Sequence, residues 1–204
     1  MGPRGDLIKV HLEQHSPALQ ELHVEVSFGN VGIEKDEAVL DDKGPFWSAM
    51  RNCRQMAVFD VLIIRHSRYG SVIVPEAFNP TDEDYSNLAV SWPLIREMSY
   101  VIKSTDSRPT RPSLQPRASI LSLFAWIRHC PEVTCVNIGL DLRESFKTDE
   151  GEFPFPARGL MIVLVHSWFP SEESERKNLF GLLDRMNRGK AMCTFNPPIN
   201  NGAR

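Results

Sequence analysis

Two stretches near the start of the chain alternate strictly between apolar and polar residues, at residues 8–12 and 22–28. A period of two is typical of strands that have one solvent-exposed face. The connection between the stretches contains Pro17 and is short enough for a reversal, so residues 7–28 are predicted to form an antiparallel hairpin. His11 and His23 would then lie on its polar side, where we interpret them as solvated side chains.

A second hairpin is predicted around Tyr69 and Gly70. Residues 58–64 are almost entirely apolar, a polar stretch follows, and a second β-rich run occupies residues 71–75. Two such runs around a polar connection that ends in glycine are typical of a hairpin. Further strands are predicted at residues 136–142, at the buried run 160–165, and at 191–195.

Helical spacing of apolar residues predicts four helices, at residues 46–57, 91–101, 120–127 and 171–186. Residues 79–87 are interpreted as a polar loop, and no internal repeat is recognised. The predicted fold class is therefore α+β, with a mainly antiparallel sheet built from hairpins and helices packed on one face. We expect residues 1–204 to form a single domain, with an exposed basic, proline-rich loop at 103–117 and a disordered tail at 196–204.

Composition and charge exclude several classes of function. The chain has 23 basic and 26 acidic side chains, a formal net charge of −3, so no protein-wide field attracts nucleic acid or anionic lipid. No apolar run approaches the roughly 20 residues of a membrane-spanning helix, and no signal peptide is recognised, so a cytoplasmic protein is expected. Glycine-rich phosphate loops, serine-hydrolase elbows and zinc-protease motifs are not found.

The four cysteines are scattered along the chain without a C-x-x-C pair. Structural zinc sites usually contain such a pair, so we expect reduced thiols and neither a metal site nor a cofactor.

An enzymatic interpretation starts from Arg65-His66-Ser67. This tripeptide resembles the Arg-His-Gly signature of the histidine phosphatase and phosphoglycerate mutase superfamily. Residues 113–118, 142–151 and 163–167 are similar, in the same order, to that family's second arginine motif, its acid-bearing loop and its second histidine. The resemblance implies a phosphomonoester hydrolase in which His66 is phosphorylated, Arg65, Arg117 and His166 hold the phosphoryl oxygens, and Glu144 protonates the leaving group. The alternative is that Arg65 and His66 simply end a strand.

A non-enzymatic interpretation rests on the order of the predicted elements. An amphipathic strand pair, a helix, a buried hairpin, a basic loop and a closing strand-helix-strand unit follow each other along the chain. Over about residues 45–195 this succession resembles the globular part of rhabdovirus matrix proteins. The resemblance implies a non-catalytic viral structural protein that self-associates and bridges nucleocapsid and membrane during assembly and budding. It further implies a location in the host cytoplasm, in the virion and at the inner membrane face.

The basic loop is the candidate binding site for that function. Lys103, Arg108, Arg111 and Arg117 could contact RNA phosphates or anionic lipid headgroups, with the protein bound peripherally to the membrane. The alternative for this loop is a solvated linker. The assembly protein is the preferred interpretation and the phosphatase the alternative. The position of the strands that end at His66 and His166 distinguishes them, because a phosphatase needs the two imidazoles to meet across adjacent parallel strands.

Overall fold

The computed structural model describes residues 18–28, 44–65, 78–104, 115–143, 159–165 and 167–186. Within these ranges the chain forms five strands and four helices. Their order is β1 Glu21–Phe28, α1 Gly44–Arg51, β2 Val58–Arg65, α2 Asp82–Ser91, β3 Glu97–Ser104, α3 Ile120–His129, β4 Cys135–Ile138, β5 Met161–Leu164 and α4 Glu173–Met186.

The five strands form one sheet in the order β1-β2-β3-β4-β5, and every neighbouring pair is parallel. The predicted antiparallel sheet is therefore wrong, and the fold is of the α/β type. The hairpin predicted at Tyr69 and Gly70 fails for a physical reason. Over the whole of Val58–Arg65, one edge of β2 pairs with β1 and the other with β3, so no edge remains for a returning strand. Residues 7–12 and 71–75, the other halves of the two predicted hairpins, lie outside the described ranges.

A helix connects each of the first three strand pairs, with α1, α2 and α3 preceding β2, β3 and β4. Connections between adjacent parallel strands are almost always right-handed. Because each new strand joins the same edge of this sheet, right-handed connections place all the connecting helices on one face. The burial pattern agrees, because alternate strand residues join one continuous core. That covered face consists of Leu22, Val24, Phe59, Val61, Ile63, Met98, Tyr100, Ile102, Val136, Ile138, Ile162 and Leu164.

Three consecutive helix-strand units share one apolar pattern, so the expectation of no internal repeat is wrong. Each unit has a buried residue just after its helix, and further buried residues three, six and eight positions after that one. Cys53, Trp92 and Cys130 hold the first of these positions, at intervals of 39 and 38 residues. The next positions are Met56, Phe59 and Val61; Ile95, Met98 and Tyr100; and Val133, Val136 and Ile138.

The backbone repeats the same contacts where one unit meets the next. The amides of Ala57 and Val58 both donate to the Gln20 carbonyl, at 2.7 and 3.0 Å. In the same way, the amides of residues 96 and 97 donate to the Ala57 carbonyl, and the amides of residues 134 and 135 donate to the Arg96 carbonyl. Because each unit adds one strand to the side of the previous one, the structure is a short α/β solenoid, the architecture in which each repeat contacts mainly its neighbours.

Trp92 links three units in the core. Its ring lies 4.9 Å from that of Phe59 and 6.1 Å from that of Trp126, measured between centroids, and its indole nitrogen donates to the Met50 carbonyl at 2.9 Å. Trp92 is fully buried. A large aromatic side chain of this kind contributes both buried area and specific ring contacts.

The segment predicted as a polar loop at residues 79–87 is mostly helix α2. Thr81 is its N-cap and forms a capping box with Asp84, with Thr81 Oγ1 accepting from the Asp84 amide at 3.3 Å. Residues 91–101, predicted as a helix, instead end α2 and form the first part of β3. Pro93 follows the last turn of α2, where a proline cannot continue the helix. The predictions for α1, α3, α4, β4 and β5 are confirmed, with shorter elements at α1 and β4.

Asp82 connects the beginnings of α2 and α3. Its carboxylate accepts from the Ser119 amide and the Ser119 hydroxyl, both at 2.8 Å, and from the Ser122 hydroxyl at 2.5 Å. Ser119 is itself the N-cap of α3. A residue in the first turn of one helix thus completes the cap of the next, which joins the two units at their shared end.

Candidate functional site

The face of the sheet opposite α1, α2 and α3 is the most extensive candidate surface in the described residues. Its side chains are partly or fully exposed except for Val101, which is buried. Strict register places them in rows across the strands. We call this surface the open face; its first row is Glu21, Val58, Glu97, Cys135 and Met161, its second His23, Asp60, Ser99, Asn137 and Val163, and beyond these lie Glu25, Leu62, Ile64, Val101 and Lys103.

Charge divides the open face into two halves. The β1–β3 half carries four acidic residues, Glu21, Glu25, Asp60 and Glu97. Among the described residues of this half, Lys103 is the one lysine. The β4–β5 half carries Cys135, Asn137, Met161 and Val163, none of which is charged at neutral pH. The face therefore combines an acidic region with a region of mostly apolar side chains.

Two contacts join neighbouring strands in the second row. His23 Nδ1 lies 3.6 Å from Asp60 Oδ2, and both side chains are at least half exposed. Asn137 Nδ2 donates to Ser99 Oγ at 3.2 Å. The amide oxygen of Asn137 is buried and has no hydrogen-bond partner in the described structure. Polar side chains thus occupy most of the second row of the open face, whereas the covered face on the other side of the sheet is apolar.

The three cysteines of the described ranges, one on the open face and two in the core, are disfavoured as nucleophiles. Burial, and secondarily the carboxylate of Glu97, raise the pKa of the Cys135 thiol. Burial also raises the pKa of Cys53, and that of Cys130 to about 12. Because the thiolate is the reactive form, these shifts disfavour covalent catalysis by any of the three.

A compact polar cluster follows the carboxyl end of β4. Asp141 accepts from Arg143 Nε at 2.9 Å and Nη2 at 2.6 Å, and from Gln115 Nε2 at 2.9 Å. The Arg143 guanidinium lies 4.2 Å from the centre of the Trp168 ring. Hydrogen bonds from Arg143 hold the pKa of Asp141 below its usual range, although burial opposes this. The cluster satisfies its own charges and joins residues 115, 141–143 and 168, so we assign it a structural role.

The strand order also bears on catalysis. Open α/β sheets bind ligands where the strand order reverses, because the connections there diverge and leave a crevice. The order of the described sheet runs from β1 to β5 without reversal, so it contains no such crevice. Among the residues whose placement is described, no group of three or more His, Cys, Asp or Glu side chains could hold a metal ion.

Two of the five residues predicted for a phosphatase lie within the described ranges. Arg65 is the last residue of β2, and exposed Arg117 forms an isolated parallel bridge with Thr81. His66, Glu144 and His166 lie outside the described ranges. The strands that lead to the two histidines are β2 and β5, and β3 and β4 lie between them. Three strand spacings of about 4.8 Å separate them by about 14 Å, so they are not the adjacent strands that this mechanism needs.

The residues predicted to form the basic loop are also divided. Lys103 belongs to β3, with an exposed side chain, and Arg117 stands just before α3. Arg108 and Arg111 lie outside the described ranges, so their proposed contacts with lipid or RNA stay a prediction.

Comparison with known proteins gives no further guidance. No family model matches the sequence, and neither a curated protein nor a solved structure matches it significantly. In the part of the chain that the structure describes, none of the helices is long and apolar enough to cross a bilayer.

The sequence patterns do not indicate the open face as a site. They predict His23 on the polar side of a hairpin and assign no role to Asp60, Ser99 or Asn137. The available signal was the recurrence of Cys53, Trp92 and Cys130 with apolar residues at the same following offsets. A repeat of this length in α/β segments would have indicated a solenoid, whose sheet has a covered and an open face.

Proposed function

We propose that this chain is a non-catalytic recognition module that binds a partner protein on the open face. The observation that carries the proposal is the alignment of partly or fully exposed side chains in rows across five parallel strands, opposite a face that packs into the core. Helices pack about 10 Å apart and strands about 4.8 Å apart, so the strand side of such a stack favours a concave surface. Solenoids use extended concave surfaces of this kind for binding.

The charge of the open face specifies the chemistry of the partner. Four carboxylates on the β1–β3 half favour a segment that carries lysine or arginine, since charge complementarity steers association and excludes acidic partners. Leu62 offers apolar contact among these charges, and Met161 and Val163 offer more on β5, beyond β4. The partner we propose is therefore an extended basic segment with some apolar side chains.

The test uses an array of basic peptides and matched peptides in which glutamine replaces each lysine and arginine. Neutralising the acidic half in the E21Q/E25Q/D60N variant should weaken binding to the basic peptides by roughly tenfold, since exposed charges contribute about 0.2–1 kcal/mol each. The E83Q/E172Q/D184N variant changes the net charge equally at exposed positions away from the open face, and it should bind as the unchanged protein does. Equal loss in both variants, or equal binding of basic and glutamine peptides, would contradict the proposal.

The matrix-type assembly function belongs to the same non-catalytic class and stays a prediction. The buried hairpin in its element order is excluded because β2 pairs with β1 and β3, so the open face now supplies the main argument for binding. The phosphatase alternative also stays a prediction, without support from the separation of β2 and β5. Transfer of phosphate from a phosphodonor to His66, abolished in His66→Ala, would favour the phosphatase over our proposal.

A further inference from the structure

The three helix-strand turns that precede β2, β3 and β4 lie side by side at one edge of the molecule. The Trp92 indole donates to the carbonyl of Met50 at the end of α1, and Cys130 Sγ lies 3.4 Å from the Trp92 carbonyl oxygen. These contacts bring the ends of α1, α2 and α3 together. We call the exposed residues of these turns, at 51–54, 90–96 and 128–129, the helix-end edge.

Four arginines line the helix-end edge. Arg51, Arg54, Arg96 and Arg128 are all exposed, and within the described structure none of them forms an ion pair or a side-chain hydrogen bond. Favourable interaction with the helix dipole accounts for Arg51 and Arg128, which stand in the last turns of α1 and α3. Arg54 and Arg96 lie beyond the helices, so the dipole does not account for them.

Exposed aliphatic side chains stand between these arginines. Val90 is 59% exposed and Leu94 is 53% exposed, the highest values among the large hydrophobic residues of the described ranges. They flank Trp92 at the end of α2, between the arginines that end α1 and α3. An apolar centre with a basic rim is thus presented to solvent by three neighbouring turns.

We propose that the helix-end edge docks peripherally on an anionic membrane surface. The arginines would contact the headgroups, while Val90 and Leu94 would enter the boundary between headgroups and acyl chains. Single-stranded nucleic acid is favoured less, because its binding sites combine basic residues with exposed aromatic rings, and the exposed apolar residues here are aliphatic. Glu97 and Glu132 follow these turns in sequence, and Glu21 is level with Glu97 in the first row of the open face, so four arginines are accompanied by three carboxylates and leave a positive excess.

Sedimentation with phosphatidylcholine vesicles, with and without phosphatidylserine, tests the docking. The intact chain should bind only the vesicles that contain phosphatidylserine, and binding should weaken as salt rises. Each arginine near an anionic surface contributes about a fivefold gain in partitioning, so the R51Q/R128Q variant should bind about 25-fold more weakly. The R176Q/R185Q variant removes two exposed arginines of α4 and should bind within twofold of the unchanged chain.

A second pair of variants tests the aliphatic contact. V90S/L94S should lower the partitioning by about tenfold at all salt concentrations, since the lost term is apolar burial rather than charge. Leu121→Ser removes a side chain that is 51% exposed at the opposite end of the helices, and it should leave binding unchanged. All of these positions are exposed, so circular dichroism should show an intact fold in each variant.

Several results would overturn the docking. These are absence of vesicle binding, equal binding to neutral and anionic vesicles, or equal loss in R51Q/R128Q and R176Q/R185Q. Binding to single-stranded RNA that R51Q/R128Q abolishes, in a protein that ignores vesicles, would also overturn it in favour of a nucleic-acid surface. The peptide experiments on the open face are independent, because none of their variants changes the helix-end edge.

Discussion

The two faces of the sheet differ in character although they alternate residue by residue along the same strands. On β2, Phe59, Val61 and Ile63 are buried under the helices, whereas Asp60 and Leu62 between them are partly exposed. The covered face is apolar on all five strands, and the open face carries both charged and apolar side chains. The covered face therefore holds the solenoid together, and the open face is the surface that we propose for recognition.

Under the proposed function, one strand serves stability with the side chains on one face of the sheet and binding with those on the other. A side chain on the covered face loses many contacts when it is truncated, because the protein interior is close-packed. A side chain on the open face loses few contacts within the chain. Substitutions on the covered face should therefore change mainly the free energy of unfolding. Substitutions on the open face should change mainly the affinity for the partner.

Trp92→Ala should have the largest effect of the substitutions considered. It removes a fully buried ring between Phe59 and Trp126, together with the hydrogen bond to the Met50 carbonyl, so three units lose contact at once. We expect the free energy of unfolding in urea to fall by about 3–5 kcal/mol. Trp92→Phe keeps a ring and should cost less. A loss below about 1 kcal/mol for the alanine variant would contradict the role given to the covered side.

Substitutions at two neighbouring residues of β2 test the difference between the covered face and the open face. Ile63→Ala empties a fully buried position on the covered face and should lower the free energy of unfolding by roughly 3 kcal/mol. Leu62→Ala, one residue away on the open face, should cost only about 1 kcal/mol, because the side chain is already partly in solvent. Equal costs in urea unfolding would show that the open face is packed as tightly as the covered face.

The cap shared between α2 and α3 should contribute less than the core. Asp82→Ala leaves the amide and hydroxyl of Ser119 and the hydroxyl of Ser122 without their acceptor, so a loss of about 2 kcal/mol is expected. Glu83→Ala changes an exposed acid in the same turn and serves as the control. Should both variants unfold at the same urea concentration, the contacts of Asp82 would not stabilise the junction.

The smallest effect is expected at Asp141, and it should depend on pH. Hydrogen bonds from Arg143 lower the pKa of Asp141 in the folded state, so its stabilisation is present above the unfolded pKa and is lost as pH falls through the folded one. The contribution at neutral pH should be no more than about 1 kcal/mol, since Arg143 is partly exposed. Asp141→Asn should therefore reduce stability at pH 7 and converge with the unchanged protein in acid. A constant difference in urea unfolding down to the lowest pH would contradict this.

Local patterns predicted much of the element content. The apolar runs at β2 and β5, the alternation at β1 and β4, and the apolar stripes of α3 and α4 correspond to elements of the structure. The exceptions were α2 and β3, where Ser91 and Pro93 were interpreted as the beginning of a helix. Thr81, with Asp84 three residues later, is the cap that begins that helix, and Pro93 stands at its end. Charged residues in the first turn made this segment resemble a loop, although acids there favour the positive end of the helix dipole.

The candidate site was harder to predict than the elements. Asp60 and Ser99 are 39 residues apart in the chain, and only the register of β2 and β3 makes them neighbours in one row. The candidate residues chosen from motifs, His66 and His166, follow strands that are not adjacent. A motif carries no information on which strands pair, so sequence order alone could not show that separation.

The sequence by itself determined most of the strands and helices, with α2 and β3 as the exceptions, and which residues of each are apolar, because those patterns follow from the geometry of single elements. Strand direction, strand order and the existence of an open face were decided only in the tertiary structure. A period of two is the same for parallel and antiparallel strands, so β2 could have paired with either kind of neighbour. Its pairing with β1 and β3 places the connecting helices on one face and leaves the other exposed.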